Sequence, residues 1–472
     1  MSARPTYLLG PRSTRGVLLG LSGPRVALLG LGALLGIAAL VANDLGVALL
    51  VVGVATGLAF ARIGGRDLVS WFRPVGRSAT ATIRHRNVWR APLPYHHPLP
   101  EAGEGDVLAY DGPALPSEWG AAKHFDVVVD GRALGVAIEQ TREGRLASVA
   151  LVAAGPGLAL VGEEARAAAL GAWGAFLAEL TTAKGALVRL QVLERTAPLA
   201  PPPPEEQESL AAASYAAVEA EATRLGATHS VVLVPTWRVK AAGRAGAGEA
   251  ANAAVSLVRR LNGAGIPASP LGATERAAWC RATLTGGPVG AGLPPVASGP
   301  VARKTTWSRV VADGTCHALY WVAAWPRMEV GPAWLAPLLL GRTSATRTFS
   351  LVLEPIGADV ALRAAEGEVS AQVLDQTQRA RAGFAARARH VRQAEAAKAR
   401  EEELVAGHGA YRFAGLVGLA ATDEDALEEA AGELVAQASQ SQLLLRRLYG
   451  VTDEALAALA PLGRARLARR WA

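Results

Sequence analysis

The period of the hydrophobic pattern changes several times along the chain, and each change marks an element. Residues 26–61 are apolar almost throughout: VALLGLGALLGIAALVA, then Asn43-Asp44, then LGVALLVVGVATGLAFA. Asn-Asp is a turn signal, so the run divides into two helices, 26–42 and 45–61. Periodicity is lost over 62–105, where prolines stand at 92, 94, 98 and 100. Alternation then predicts strands at 133–140 and 146–153 around the turn Arg142-Glu143-Gly144. Over 162–182 helical spacing puts Leu170, Trp173, Leu177 and Leu180 on one side, and a third strand follows at 186–193.

The run 198–204 is a stiff linker or surface loop. Beyond it the pattern predicts a helix at 205–225, a strand at 229–237 (HSVVLVPTW), a helix at 248–262, a short strand at 266–269 and a helix at 273–284. A Gly/Pro loop, 285–300, closes this stretch. Strands at 308–311 and 316–325 flank the hairpin signal Asp313-Gly314. A short helix at 333–340 and a strand at 346–354 follow. A proline-free Ala/Arg/Glu/Gln stretch, 358–406, then reads as one long helix or a helical pair standing off the core. A strand at 411–421, a helix at 423–438 with Thr422 as N-cap, and a strand at 443–449 complete the pattern. Strand–helix–strand, insertion, strand–helix–strand is the order of a ferredoxin-like unit, with 358–406 in place of its central hairpin.

The expected fold is therefore α+β and membrane-anchored. A basic N-terminus (1–25) precedes a transmembrane helical hairpin (26–61) and a basic Pro-rich connector (62–105). Then come a first α/β unit (106–197), the proline linker (198–204), a second α/β unit with its Gly/Pro loop (205–300), and a ferredoxin-like unit (301–472) carrying the insertion 358–406.

Charge sharpens this picture. The net charge is +7, yet residues 1–90 hold 11 arginines against Asp44 and Asp67 alone, so the excess is N-terminal. Arginines flank the hairpin on both sides and none lies in its turn. The positive-inside rule then places both termini in the cytoplasm, in a two-span inner-membrane protein. Each helix of 17 residues spans about 25 Å, near the lower limit for a bilayer. Trp71 and Phe72 would sit at headgroup level, and the spacings Gly32/Gly36 and Gly53/Gly57 would let helix backbones approach.

Candidate chemistry is sparse. Two cysteines, Cys280 and Cys316, exclude a disulfide framework, and their role stays open. No G-x-x-x-x-G-K-[ST] occurs; residues 299–306 (GPVARKTT) carry Arg303 where the second glycine belongs. No G-x-S-x-G elbow occurs. His96-His97 lies in the Pro-rich loop, and Cys316-His317 would point to opposite faces of a strand, so no metal-ligand set forms. Glu163-Glu164 and Glu401, Glu402 and Glu403 read as helix-surface charges. The basic run Arg379, Arg381, Arg387, Arg389, Arg392, Lys398 and Arg400 is interrupted by Glu395 and has Phe384 as its one interleaved aromatic. It reads as a solvated or protein-contacting arm, with nucleic acid disfavoured as a direct partner. No catalytic, cofactor-binding or metal-ligating residue is assigned.

Several segments resemble a known family: GPRSTRGVLLGLSGPRVALLG at the N-terminus, HALYWVAAWPRMEVGPAWLAPLLL, FSLVLEPI, EEELVAGHGAYRFAGLVGLAATDEDALEEAAGEL, and SQLLLRRLYGVTDEALAALAPLGRARL near the end. The family is an actinobacterial group of integral membrane proteins with a PrgI-like hairpin. Their cytoplasmic part resembles the N-terminal, non-motor domain of conjugation ATPases of CagE/TrbE/VirB type. The resemblance covers nearly the whole chain and is clearest at 1–90 and 300–465. It implies a non-enzymatic inner-membrane scaffold of a type IV secretion or conjugation-like machine, docking a separate cytoplasmic ATPase. Other secretion-complex membrane proteins and the lipid bilayer would be further partners, with homo-oligomerisation open. Two alternatives stand beside it: an EccE-like membrane component of type VII secretion, and a membrane-tethered enzyme with a degenerate site.

Overall fold

A computed structural model describes residues 23–63, 66–91, 107–110, 115–155, 161–182, 187–199, 210–326, 328, 330–381 and 388–464. The apolar run folds as α1 (Gly23–Val41) and α2 (Leu45–Phe60). Asn43 turns the chain at φ 61°, and Asp44 caps α2 by accepting from the Val47 N–H at 3.1 Å. Gly32 and Gly36 face α2, where added Cβ atoms would run into Ala55 and Val52, whereas Gly53 and Gly57 face open space.

The expected anchor is corrected here. No helix among the described residues is long and apolar enough to cross a membrane. The 19 and 16 residues of α1 and α2 reach about 28 Å and 24 Å, against a hydrocarbon core of about 30 Å. Arg25 also places a charge in the first turn of α1. The membrane-anchored fold class, and the two-span inner-membrane location with both termini cytoplasmic, are overturned by those lengths.

The connector is not irregular where it is described. It forms a small ribbon, β1 (Arg62–Ile63) with β2 (Arg66–Asp67), then α3 (Phe72–Ile83) and β3 (Val88–Arg90). The following stretch contains β4 (Val107–Tyr110), β5 (Lys123–Val129), β6 (Arg132–Thr141), β7 (Gly144–Val149), β8 (Leu151–Ala153), α4 (Glu163–Thr182), β9 (Leu187–Pro198), α5 (Leu210–Leu225), β10 (Ala227–Arg238), α6 (Gly243–Gly263), β11 (Ala268–Pro270) and α7 (Ala273–Thr285). The last stretch contains β12 (Ala302–Thr305), β13 (Val310–Ala312), β14 (Thr315–Ala324), α8 (Ala336–Leu339), β15 (Thr346–Ile356), α9 (Ala358–Arg381), α10 (Ala388–Val405), β16 (Ala410–Ala421), α11 (Glu424–Gln440), β17 (Leu444–Arg447) and α12 (Thr452–Ala457). Asp130-Gly131 and Asp313-Gly314 both have positive φ at both residues, the conformation a tight hairpin requires. Asp423, not Thr422, caps α11, accepting from the Ala426 N–H at 2.9 Å.

Fifteen of these strands form one sheet, in the order β3–β12–β13–β14–β16–β15–β9–β10–β7–β6–β5–β4, with β17 on β14, β8 on β10 and β11 on β8. The pairings of the described strands are all antiparallel. The expected units are joined in one continuous antiparallel sheet, in which β14–α8–β15 and β16–α11–β17 flank the α9–α10 pair. The join is the β9–β15 ladder, which runs from Arg347↔Thr196 to Leu353↔Leu190. Both strands are buried on both faces, as interior strands of a large sheet are.

The two halves repeat one arrangement. The strand order β11–β8–β10–β9 on one side of the join recurs as β17–β14–β16–β15 on the other. Helices enter at the same point of each, α5 in one and the α9–α10 pair in the other, and a helix follows each last strand, α7 and α12. Alternation along β9 and β15 serves two cores. Leu190, Phe349 and Leu353 meet α4, α6 and α11 on one face, while Leu193 and Val352 meet α7 and α12 on the other.

Leu190 is fully buried beside the join. Leu190→Ala should lower the stability of the full chain by about 2–5 kcal/mol in chemical denaturation. Leu444→Ala, on a half-exposed edge position, should change it by less than about 0.5 kcal/mol.

Candidate functional site

Charged and aromatic side chains converge where α3 meets the body. Gly450 (φ 68°) lets the chain pass so close that a Cβ there would meet the Pro74 carbonyl oxygen at 2.5 Å and the Trp307 ring at 2.9 Å. Trp71 stacks on Trp307 (5.9 Å) and tilts on Tyr449 (5.7 Å), and those two rings stack at 5.8 Å. Trp71 therefore sits in an aromatic triad rather than at a lipid headgroup, while Phe72 is exposed.

Beside the triad, Arg77 donates to both Asp453 oxygens at 3.0 and 3.1 Å and pairs with Glu454. Its guanidinium lies 3.9 Å from Glu118, which accepts from Arg303 at 3.0 Å. Burial works against every charge in this cluster. It holds the Asp453 carboxyl above its ordinary range, with Arg77 opposing. Burial would also raise Glu118, but the Arg303 charge and the hydrogen bonds it accepts together hold the carboxyl low. Arg77 stays above its ordinary value despite burial because Asp453 and Glu454 face it. A cleft of about 470 Å³ opens alongside, rimmed by Arg84, Arg86 and Arg464. The cluster fastens α3; its charges are spent on one another.

A second polar group lies on the β9–β15 join. Thr196 Oγ1 is 2.6 Å from Glu194 Oε1, and His229 Nδ1 is 3.2 Å from the same hydroxyl and 3.3 Å from the same carboxylate oxygen. Arg347 donates to the carbonyls of Leu339 (3.0 Å) and Gly341 (3.2 Å). Burial holds Glu194 above the usual carboxylate range, against the pull of Thr196, His229 and Arg347. The trio has the composition of a hydrolytic triad, but Thr196 is 0 % exposed, so no substrate atom reaches its hydroxyl.

The residues singled out in the sequence are dispersed. Cys280 is buried in α7, its thiol pushed up to about 12 by burial, and Cys316 lies half-buried on β14. His317 is buried with Nε2 2.8 Å from the Leu284 carbonyl. His96 and His97 fall outside the described residues. Arg303 stands in β12, bonded to Glu118 and to the Arg86 carbonyl. Glu163 and Glu164 occupy the first turn of α4. Of the basic run, Arg379 and Arg381 lie in α9 and Arg389, Arg392, Lys398 and Arg400 in α10, where Lys398 pairs with Glu402 at 3.7 Å; Phe384 and Arg387 fall outside the described residues. Among the described residues no group of three or more His, Cys, Asp or Glu could hold a metal ion. The cluster at α3 had no local sequence signal, because Arg77 and Asp453 are 376 positions apart.

Residues 236–322 match the family described as "Putative type VII ESX secretion system translocon, EccE". No curated protein matches the chain. The matched stretch is a minority of the sequence and runs from the end of β10 through α6, β11, α7, β12 and β13 into β14. It is the segment that carries the chain from one half of the sheet to the other. Its Arg276 is fully buried, donating to the Pro461 carbonyl (2.7 Å), the Ser148 carbonyl (2.8 Å) and Ser148 Oγ (2.7 Å). The match points to type VII secretion, and the expectation of a type IV, conjugation-like machine is corrected accordingly.

Two outcomes follow from this geometry. Burial pushes His124 down to about 3 and His317 down to about 4, from an ordinary 6.5. Below pH 6.5 the unfolded chain takes up protons that the folded chain refuses, so stability present above that pH falls as the pH drops toward 4. His317→Gln should flatten this acid limb in melting curves recorded against pH. Arg77→Ala should speed amide exchange across 72–83 in the full chain while leaving exchange in β9 and β15 unchanged.

Proposed function

We propose that this chain is a non-catalytic subunit of a type VII ESX-like secretion translocon, acting through protein–protein contact. The observation that carries the reading is the EccE match over 236–322, the segment that joins the two halves of the sheet. The polar clusters support it in a second way: the ion cluster at α3 and the Glu194 group are closed on themselves and serve packing. Its partners are other components of the same secretion assembly.

The α9–α10 pair is the proposed contact for a secretion ATPase. Ala361 and Ala365 are buried at its base, while Asp359, Arg363, Lys398 and Glu402 are exposed along it. Such a pair adds little to the core it leaves. The test is affinity purification of the tagged full chain from cells expressing the neighbouring secretion genes. The expected result is stoichiometric recovery of translocon components together with the ATPase. A chain with 360–404 replaced by a short Gly/Ser linker should keep its melting temperature within a few degrees and lose the ATPase. Recovery of neither the ATPase nor any translocon component by the intact chain would overturn the reading.

A further inference from the structure

We infer that the cleft between the C-terminal end of α3 and the turn at Ser117 and Glu118 is a binding site for the phosphoryl group of a phosphate monoester. The wall of this cleft carries more arginine than its acids neutralise. Arg77 is held by Asp453 and Glu454, and Arg303 behind it by Glu118. Arg464 is held by Glu139 and by the carbonyls of Ser117 and Glu118. Arg84 and Arg86 line the same cleft, are exposed, and have no ion pair among the described residues. Five guanidiniums thus stand against four carboxylates, and burial holds one of those, Asp453, toward its neutral form. A concave wall with positive charge left over concentrates anions.

Backbone hydrogen bonds fix the two remaining arginines. The Arg86 N–H donates to the Ala81 carbonyl at 2.8 Å and the His85 N–H to the Thr82 carbonyl at 3.1 Å, which closes α3 in a Schellman motif. His85 takes the left-handed position of that motif at φ 52°, where glycine is usual. Arg303 grips the Arg86 carbonyl from β12 at 3.1 Å. Arg84 and Arg86 therefore leave a held turn on either side of one residue, and both line the cleft. Guanidinium forks donate in pairs to phosphoryl and carboxylate oxygens. A carboxylate brings one negative charge and a phosphate monoester nearly two, so the monoester offsets both arginines. The cleft, at about 470 Å³, has the size of a small-ligand site and leaves room for an organic body beside the Thr80 and Ser117 hydroxyls. The arginines that fasten α3 are not those left for the ligand, so fastening and binding coexist.

The test is calorimetric titration of the full chain at constant ionic strength with glycerol phosphate, and with acetate as the singly charged control. Glycerol phosphate should bind saturably and acetate should not. Vesicles of phosphatidylcholine with and without phosphatidic acid distinguish a lipid-borne monoester from a free one; competition between those vesicles and glycerol phosphate would assign the same group to a lipid. Arg84→Gln combined with Arg86→Gln should weaken binding by at least about tenfold. Arg73→Gln, on α3 but off the cleft wall, should leave it unchanged. Arg84→Lys combined with Arg86→Lys keeps both charges at the end of α3 without the forks and should bind between parent and glutamine variant. Melting curves check that each variant folds. No saturable binding by glycerol phosphate or by phosphatidic acid vesicles overturns the inference, as does equal binding of acetate or an equal loss in Arg73→Gln. A lower melting temperature in the glutamine variant, with no binding by the parent, assigns the two arginines to the end of α3 alone and overturns it too. Failure to recover translocon components from cells leaves these titrations unaffected, so the two readings fail separately.

Discussion

The β9–β15 ladder is the constraint on which the rest of this structure depends. It joins two halves of like strand order, and its polar side chains oblige distant segments to come to it. Arg189 and Arg347 are each 1 % exposed, one on either strand. A guanidinium removed from water needs partners on every side. Arg189 takes the Gly463 carbonyl at 3.0 Å and lies 3.8 Å from Glu354. Arg347 donates to the Leu339 carbonyl at the end of α8 and the Gly341 carbonyl after it, and pairs with Gln437 of α11 at 2.5 Å. Gln191 donates to Ser350 Oγ at 2.9 Å and to the Ala458 carbonyl at 2.7 Å. The chain around residues 458–463 is thereby bound to the first half of the sheet, although it follows the second.

The stretch that matches the family model lies across this closure. A segment that leads from β10 to β14 cannot be exchanged independently of the sheet it bridges. Arg276 within it holds Ser148 of β7 and Pro461 of the C-terminal loop with one guanidinium. Arg281 of the same helix pairs with Asp313 at 2.5 Å, and Asp313 in turn accepts from the Ala302 N–H at 2.7 Å. The matched stretch is thus a set of fastenings between halves.

Much of the element pattern was legible because local physics writes it. Strong β-branched alternation marks β10, acidic first turns and apolar spacing mark α11, and Asp313-Gly314 marks a hairpin. Asp130-Gly131 carried the same signal, yet β5 before it went unread, and only its positive φ pair shows what it does. The join was not legible, since pairing β15 with β9 depends on register across about 160 positions and not on either strand's composition. Hydropathy fixed the turn at Asn43-Asp44 but overestimated what two helices of this length can span. The α3 cluster was invisible for the same reason as the join: its ions come from four separate parts of the chain.

The repeat also shows where the two halves have parted ways. Gly272-Ala273-Thr274-Glu275 leads into α7, and Gly450-Val451-Thr452-Asp453 leads into α12, each after the last strand of its half. In the first, the acid turns back on its own helix: Glu275 accepts from the Gly272 N–H at 2.8 Å, and Asp126 accepts from the Ala273 N–H at 2.7 Å. That end is sealed by hydrogen bonds to its own Glu275 and to Asp126 of β5. In the second, Asp453 is committed to Arg77, and Gly450 is pressed against Pro74 and Trp307. One corner closes its helix with its own carboxylate, and the other serves as the seat for α3. Asp453 instead holds Arg77 and so positions α3, whose Phe72, Val75 and Ile83 are exposed.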